Sequence, residues 1–294
     1  MPAQNNTGSS QAAEAFPAQH QEQQPGLEYE MKPRPISEDT SYLGSKKLFG
    51  KVAIITGGDS GIGRAVAYAY AKEGASLVIA YLNETKDAEE TKQRIDALGA
   101  KCILMPGDLR QEQQCKAVVE KTVQSFGKVD VLVNNHAVQF PQASILDITA
   151  KQLENTFQTN LFSFFYMVKA ILPHMQKKSS IINTTSVTAY KGNELLLDYS
   201  ASKGAIVSFT RSLALSLATM EIRVNAVAPG PIWTPLIPAS FNEGKVKIFG
   251  ADTPLGRAGQ PFELAPAYVY LASGDSSYVS GQVIHVNGGD VTAS

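Results

Sequence analysis

In the stretch DYSASKGA, Tyr199 and Lys203 stand four residues apart. On a helix that spacing puts both side chains on one face, one turn apart, with β-carbons roughly 6 Å from each other. A free phenol, with a pKa of about 10, is a poor proton carrier at neutral pH, but a fixed cation beside it favours the phenolate. The spacing alone is not distinctive, because Tyr42 and Lys46 repeat it in SYLGSK. A second set of residues suits phosphate: Thr56-Gly57-Gly58-Asp59-Ser60-Gly61-Ile62-Gly63. Glycines there let the backbone turn sharply and approach a diphosphate, provided that a strand precedes them and a helix amino terminus follows.

The surrounding elements supply that context. KVAIIT reads as a strand, GIGRAVAYAYAKEG as a helix ending at Gly74, and SLVIAY as a second strand. A charged helix (KDAEETKQRIDALG), the strand CILMP, a helix from Gln111 to Phe126 and the strand VDVLVNN follow. One long helix is expected from Ala150 to Met175, then the strand SIINTTS and a helix carrying Tyr199. The strand IRVNAVAPG, an irregular segment, a short helix from Pro261 to Ser273 and the strand QVIHVNGG complete the pattern. Apolar strands alternating with helices imply a doubly wound, Rossmann-type parallel α/β sheet of seven strands in a single domain. Residues 48–294 form that domain. Residues 1–47, with clustered glutamine in AQHQEQQPG and proline in MKPRP, read as an irregular arm whose LEYEMKPRP segment holds apolar anchors for the domain or a neighbouring subunit.

The 294 residues suffice for a well-buried core. A net charge of −1 argues against a nucleic-acid binder. No apolar run approaches the roughly 20 residues of a membrane span, and the amino terminus lacks the basic start and apolar stretch of a secretory signal. Cys102 and Cys115 are too few for a disulfide framework or a zinc site. The expectation is a cytoplasmic protein with no metal, no membrane and no nucleic acid.

The order T-G-x-x-x-G-x-G at residues 56–63 resembles the short-chain dehydrogenase/reductase family, and later landmarks agree. Gly107-Asp108-Leu109 follows the third strand, Asn134-Asn135 ends the fourth, and Asn160 lies in the long helix. Ser186 precedes Tyr199 by thirteen residues, and Pro229-Gly230 with Ile232 and Thr234 matches the family loop over the nicotinamide. The resemblance spans about residues 48–287. It implies that Gly57, Asp59, Ser60, Gly61, Ile62 and Gly63 hold the diphosphate side of NAD or NADP. Asp108 and Leu109 would meet adenine, and Asn83 the adenosine ribose. Asn134, Ala137, Tyr199 and Lys203 would line the nicotinamide end.

The resemblance also implies the chemistry. Tyr199 exchanges a proton with a carbonyl or alcohol oxygen, Lys203 holds the nicotinamide ribose and keeps the phenol acidic, and Ser186 hydrogen-bonds the reacting oxygen. Asn160 supports a water-linked proton path. Lowering a phenol from about 10 to neutrality requires roughly 4 kcal/mol of preferential phenolate stabilisation, which the lysine and an oxidised nicotinamide together could supply. The duller readings are a Ser186 that caps a strand, a Tyr199 ring in the core and a Lys203 on the surface.

Two departures stand out. The fourth strand ends Asn134-Asn135-His136-Ala137 where the family has N-N-A-G, so His136 is either a packed, hydrogen-bonded side chain or a second acid/base. The second strand ends Tyr81-Leu82-Asn83-Glu84, with no well-placed acid for NAD and no arginine for NADP. The missing acid and Arg64 after the glycines lean the choice to NADP, while Glu84 argues the other way.

Val138, Gln139, Thr188, Tyr190, Asn193, Leu195 and Trp233 are the expected substrate lining, suited to a small aldehyde, ketone, polyol or sugar. The arm together with GGDSGIGR, LLDYSASKG and APGPIWTPLIP is similar to bacterial general-stress oxidoreductases and plant glucose/ribitol dehydrogenase homologues. Family members pair as homotetramers through the helices of Asn160 and Tyr199, where Phe162, Phe164, Phe165 and Tyr166 form either an interface or core. A non-catalytic, dinucleotide-binding redox sensor is the alternative. A sugar-nucleotide epimerase fits poorly, because only about 60 residues follow Thr234.

Overall fold

The computed structural model describes residues 15–290. The first fourteen residues of the expected arm and the last four of the expected domain lie outside them. Seven short apolar runs become strands: β1 (Val52–Thr56), β2 (Ser76–Tyr81), β3 (Cys102–Pro106), β4 (Val131–Asn134), β5 (Ser180–Thr184), β6 (Arg223–Pro229) and β7 (Val283–Val286). They form one sheet in the order 3-2-1-4-5-6-7, with every neighbouring pair parallel. Alternation along the strands divides the core. Ala53 and Ile55 of β1 face α1 (Gly61–Lys72) and α9 (Pro261–Ala272). Ile54 faces α3 (Glu112–Phe126), α5 (Ser163–Ile171) and α7 (Leu197–Leu217) on the other side. Both faces are therefore covered, as a parallel sheet requires. The remaining helices are α2 (Thr85–Ala97), α4 (Ala150–Phe157), α6 (Thr188–Lys191) and α8 (Glu243–Lys247). None of the described helices is long and apolar enough to cross a membrane.

The expected long helix from Ala150 to Met175 is not continuous. Between α4 and α5 lies a π turn, Gln158–Phe162, and after α5 a 3₁₀ turn, Leu172–His174, with Pro173 near its start. The π turn inserts one residue per turn relative to an α-helix, a change too small to disturb an apolar pattern read over a whole helix.

Residues 15–47 lie along the domain with little regular structure beyond the 3₁₀ turn Glu28–Glu30. Their anchors are apolar and ionic. Met31 is buried in a cluster with Leu196, Tyr199, Trp233, Ile237, Phe241 and Val246, against which Phe16 packs. Glu28 accepts hydrogen bonds from the Gly61 amide at 2.6 Å and from Arg64 Nη1 at 2.6 Å. Tyr42 does not pair with Lys46: its hydroxyl donates to Glu73, and Lys46 adopts a left-handed φ of 64°.

Candidate active site

The strand order reverses between β1 and β4, and at that point the carboxyl ends of the strands open into a groove of about 340 Å³. Gly57, Asp59, Ser60, Gly61 and Ile62 line one wall, and Asp108, Leu109, Ala137 and Thr234 line others. Gly57 turns the chain with a φ of +62°, and a β-carbon there would lie 3.0 Å from His136 Cα. Ser60, the N-cap of α1, makes no side-chain cap bond, so the first turn of α1 keeps amide donors for a ligand beyond the one that Glu28 takes. One buried carboxylate oxygen in the wall, Glu84 Oε1, has no hydrogen-bond partner. A glycine cradle at a helix amino terminus, with an unpartnered acceptor further along the same groove, fits a dinucleotide.

Several expected cofactor contacts lie elsewhere. Gly63 does not line the groove. A β-carbon there would fall 2.0 Å from the Gly57 carbonyl oxygen, so its role is to let α1 pack against the loop. Asn134 is fully buried, and its Nδ2 donates to Asn183 Oδ1 of β5 at 3.0 Å. Strand alternation turns Asn134 into the sheet and Asn135 outward, where its Nδ2 donates to the Gly57 carbonyl at 3.1 Å. Asn83 is exposed and outside the groove, because the turn into α2 folds Glu84 back so that its Oε2 accepts from the Asn83 amide. Arg64, the residue that favoured NADP, is 2 % exposed. Its guanidinium is engaged by Glu28, by Asp87 at 3.1 Å and by the Asp59 carbonyl at 2.9 Å, so it does not reach a 2′-phosphate. Burial and the nearby charge of Glu84 hold the Asp59 carboxyl well above the usual range, and burial raises Glu84 as well. Arg110 grips Asp108 and keeps that carboxylate low.

Ile62, Asn135, Ala137, Thr234 and Leu236 are shared with a second cavity of about 370 Å³, which contains Ser186, Tyr199 and Lys203. Ser186 follows the end of β5, and Tyr199 lies in the first turn of α7, whose amino-terminal Asp198 is tied to α4 by Thr156 Oγ1 at 2.7 Å. Lys203 Nζ lies 5.5 Å from the centre of the Tyr199 ring and donates to the Thr184 carbonyl at 2.9 Å, leaving two protons for a ligand. Burial pushes the phenol up to about 12, opposed by a hydrogen bond with Ser186, and drops the ammonium to about 7. Desolvation thus outweighs the neighbouring cation in the protein alone. Asn160, in the π turn, lines neither cavity. Its side chain pairs with both backbone groups of Val138, at 2.8 and 2.9 Å, and donates to Ser202 Oγ at 3.1 Å. It therefore locks the loop after β4 to α7.

His136 fills space between elements. Ser163 Oγ must donate to the Thr159 carbonyl at 2.6 Å, so it accepts from His136 Nε2 at 2.9 Å. Nδ1 is then the acceptor for Thr56 Oγ1 at 2.7 Å. Burial and the Lys203 charge lower the imidazole to about 3, so it is neutral.

Of the expected substrate lining, Gln139, Thr188 and Asn193 border the cavity. Val138 borders the groove, and Leu196 takes the place expected for Leu195. Tyr190 meets His285 edge-on at 4.5 Å. Trp233 is fully buried, stacked on Phe16 at 3.8 Å, with Nε1 donating to the Pro33 carbonyl at 2.9 Å. The arm covers it, and no local pattern around Trp233 signals that cover. Pro229, Gly230 and Ile232, expected at the nicotinamide, border this cavity and not the groove.

A dinucleotide-type groove opening into a cavity with serine, tyrosine and lysine defines an oxidoreductase class, and the chain belongs to the short-chain dehydrogenase/reductase family. A family model described as enoyl-(acyl carrier protein) reductase matches residues 57–290. The chain is 57% identical to general stress protein 39 of Bacillus subtilis, over 94% of this chain and 96% of that one. It is 55% identical to NADPH-dependent aldehyde reductase 1, chloroplastic, of Arabidopsis thaliana (93% and 97% covered), and 53% to glucose and ribitol dehydrogenase of Daucus carota (94% and 97%). A short-chain dehydrogenase from Burkholderia cenocepacia, solved in complex with NADP, superposes with a TM-score of 0.78 at 26% identity, covering 83% of this chain and 98% of that one.

Proposed function

We propose that the protein interconverts a small carbonyl compound and its alcohol, of the aldehyde or polyol class, with a nicotinamide dinucleotide as redox partner. The observation that carries this reading is the cavity where the Tyr199 phenol, the Ser186 hydroxyl and the Lys203 ammonium meet beside the groove. When bound, the dinucleotide supplies or accepts the hydride. Tyr199 gives its proton to the substrate oxygen during reduction and takes one back during oxidation; burial keeps the phenol protonated in the protein alone, and the charges of Lys203 and of an oxidised nicotinamide would lower its pKa towards the working range. Ser186 hydrogen-bonds the same oxygen. Lys203, with two uncommitted protons, holds the ribose hydroxyls. Asn160 is a positioning residue. Amide and hydroxyl groups of Gln139, Asn193 and Thr188, alternating with Leu196, Ile237 and Phe241, suit a small polar carbonyl compound.

NADP(H) is the favoured cofactor. The names of the Arabidopsis relative and the Burkholderia structure point to it. A homotetramer, a cytoplasmic location and a role in stress response complete the reading, the last supported by the name of the Bacillus relative.

The test is a substrate screen in both directions with each cofactor, read by nicotinamide absorbance. Tyr199→Phe should retain dinucleotide affinity and lose turnover by roughly 10²-fold or more. Undiminished turnover in that variant overturns the assignment, absence of turnover across a broad carbonyl panel favours a redox sensor, and a hundredfold preference for NAD in kcat/KM overturns the cofactor reading.

A further inference from the structure

The arm touches the groove as well as the domain surface. Gln24, Pro25 and Gly26 form part of its lining, with Gly57, Ser60, Gly61 and Ile62 in the same wall set. A β-carbon on Gly26 would lie 2.4 Å from the Pro235 carbonyl oxygen. One on Gly61 would lie 3.2 Å from Thr234 Cβ and 3.6 Å from Pro235 Cδ. Arm, post-β6 segment and phosphate loop therefore meet in one line, and the groove is bridged beside the amino terminus of α1.

The Gln24 carboxamide fastens that bridge. Its Nε2 donates to the Gln139 carbonyl at 2.6 Å and to the Ala239 carbonyl at 3.3 Å, while its Oε1 accepts from the Gln139 amide at 3.1 Å. One side chain thus joins the loop after β4 to the segment after β6, both of which border the substrate cavity. The flanking arm grips the same segment: the Gln21 amide donates to the Pro238 carbonyl at 2.9 Å, His20 Nδ1 pairs with the Phe241 carbonyl at 2.9 Å, and Phe16 stacks on Trp233. Beyond Gly26 the chain is fixed again by Glu28 on the Gly61 amide.

We infer that Gln24, Pro25 and Gly26 are part of the dinucleotide site: they form its outer wall over the diphosphate position, and the Gln24 carboxamide holds that wall closed. The inference rests on the reading above that the groove takes a dinucleotide. The wall presents amide and ring atoms and no carboxylate, so it encloses a diphosphate without repelling it. Entry and release of the dinucleotide require the stretch between the Phe16 and Glu28 anchors to lift, which makes Gln24 a determinant of residence time.

The experiment measures dissociation rate and Kd of NADPH and NADH by stopped-flow fluorescence on the full chain, with Tm recorded for every variant. Gln24→Ala should dissociate roughly tenfold faster and bind correspondingly more weakly, since loss of a clip acts mainly on the off-rate. Gln24→Glu should bind more weakly still, because its carboxylate would meet the Gln139 and Ala239 carbonyls where the amide donated and would add negative charge at the rim of the groove; the charge-dependent part of its penalty should shrink as salt is raised. That salt-dependent difference between the two variants is independent of any shared loss of stability. Gln23→Ala, at an exposed position of the arm next to Gln24, should match the wild type. Wild-type rates and affinities in both Gln24 variants overturn the inference while leaving the proposed function standing. A wild-type protein that binds neither dinucleotide overturns the proposed function and this inference with it.

Discussion

His136 shows what a single residue does at the edge of this site. Both ring nitrogens are committed, one to Thr56 and one to Ser163, and the imidazole is held neutral with a pKa of about 3. In the unfolded chain it titrates near 6.5, so between about 3 and 6.5 the unfolded state binds more protons and stability rises with pH. As pH falls through that window the folded state loses stability, by at most about 1.36 kcal/mol per unit. His136→Ala should therefore show a shallower acid limb than the wild type in urea denaturation measured at several pH values from about 7 down to about 4. Its turnover should stay within the range of a packing change; loss as large as that of Tyr199→Phe would mean that the imidazole moves a proton. The sequence exposed His136 as a departure and left both roles open, because its partners lie 80 and 27 residues away. Tyr199, Lys203 and Ser186 were legible because a four-residue helical step and a strand end fix their geometry locally. Asn134 and Asn83 lie outside the groove for the opposite reason: a one-residue difference in facing, decided by strand alternation and by a turn, separates each from the neighbour that lines it.

At the scale of elements, strands and most helices follow from apolar period and glycine punctuation, whereas the arm carries no period because its bonds are specific and distant. Glu28, Arg64 and Asp87 join the arm, α1 and α2 in a buried ionic cluster, with Arg34 and Glu90 at its rim. From sequence Arg64 leaned the cofactor choice to NADP because it follows the glycines; only the folded arm brings Glu28 to it. Replacing Arg64 by methionine leaves two buried carboxylates without their main cation, a change that costs about 3–5 kcal/mol in comparable clusters. Burial already raises both carboxyls above their ordinary values, and losing Arg64 raises them further. A carboxyl whose folded pKa exceeds its unfolded one makes the folded state bind the extra protons, so the penalty should shrink as pH is lowered towards about 4. Urea midpoints of wild type and Arg64→Met at neutral and mildly acidic pH check this. A penalty that is independent of pH would mean that lost packing of the long side chain dominates.

For the whole molecule, the doubly wound parallel sheet of seven strands was legible from the alternation of apolar strands with helices, whereas its outer faces depend on partners that one chain does not display. The aromatic run on α5 divides there. Phe164 is fully buried, whereas Phe162 and Phe165 remain 43% and 45% exposed, with Phe165 resting on Phe209 of α7 at 4.2 Å. Two exposed rings on α5 and its π turn, one resting on the half-buried Phe209 of α7, form a candidate association face. The same two helices connect to the cavity: α7 holds Tyr199 and Lys203, and Asn160 in the π turn before α5 bonds Val138 and Ser202 beside it. A subunit packed on this face would limit motion of α5 against α7, so assembly and turnover should fall together. Phe165→Asp places a charge where a self-complementary apolar contact is expected, and analytical ultracentrifugation should show a smaller species than the wild-type chain forms. Specific activity should drop in the same concentration range in which the variant dissociates, and recover partly at high protein concentration. A wild-type chain that sediments as a monomer at micromolar concentration, or a Phe165→Asp tetramer indistinguishable from it, would remove this face from the assembly.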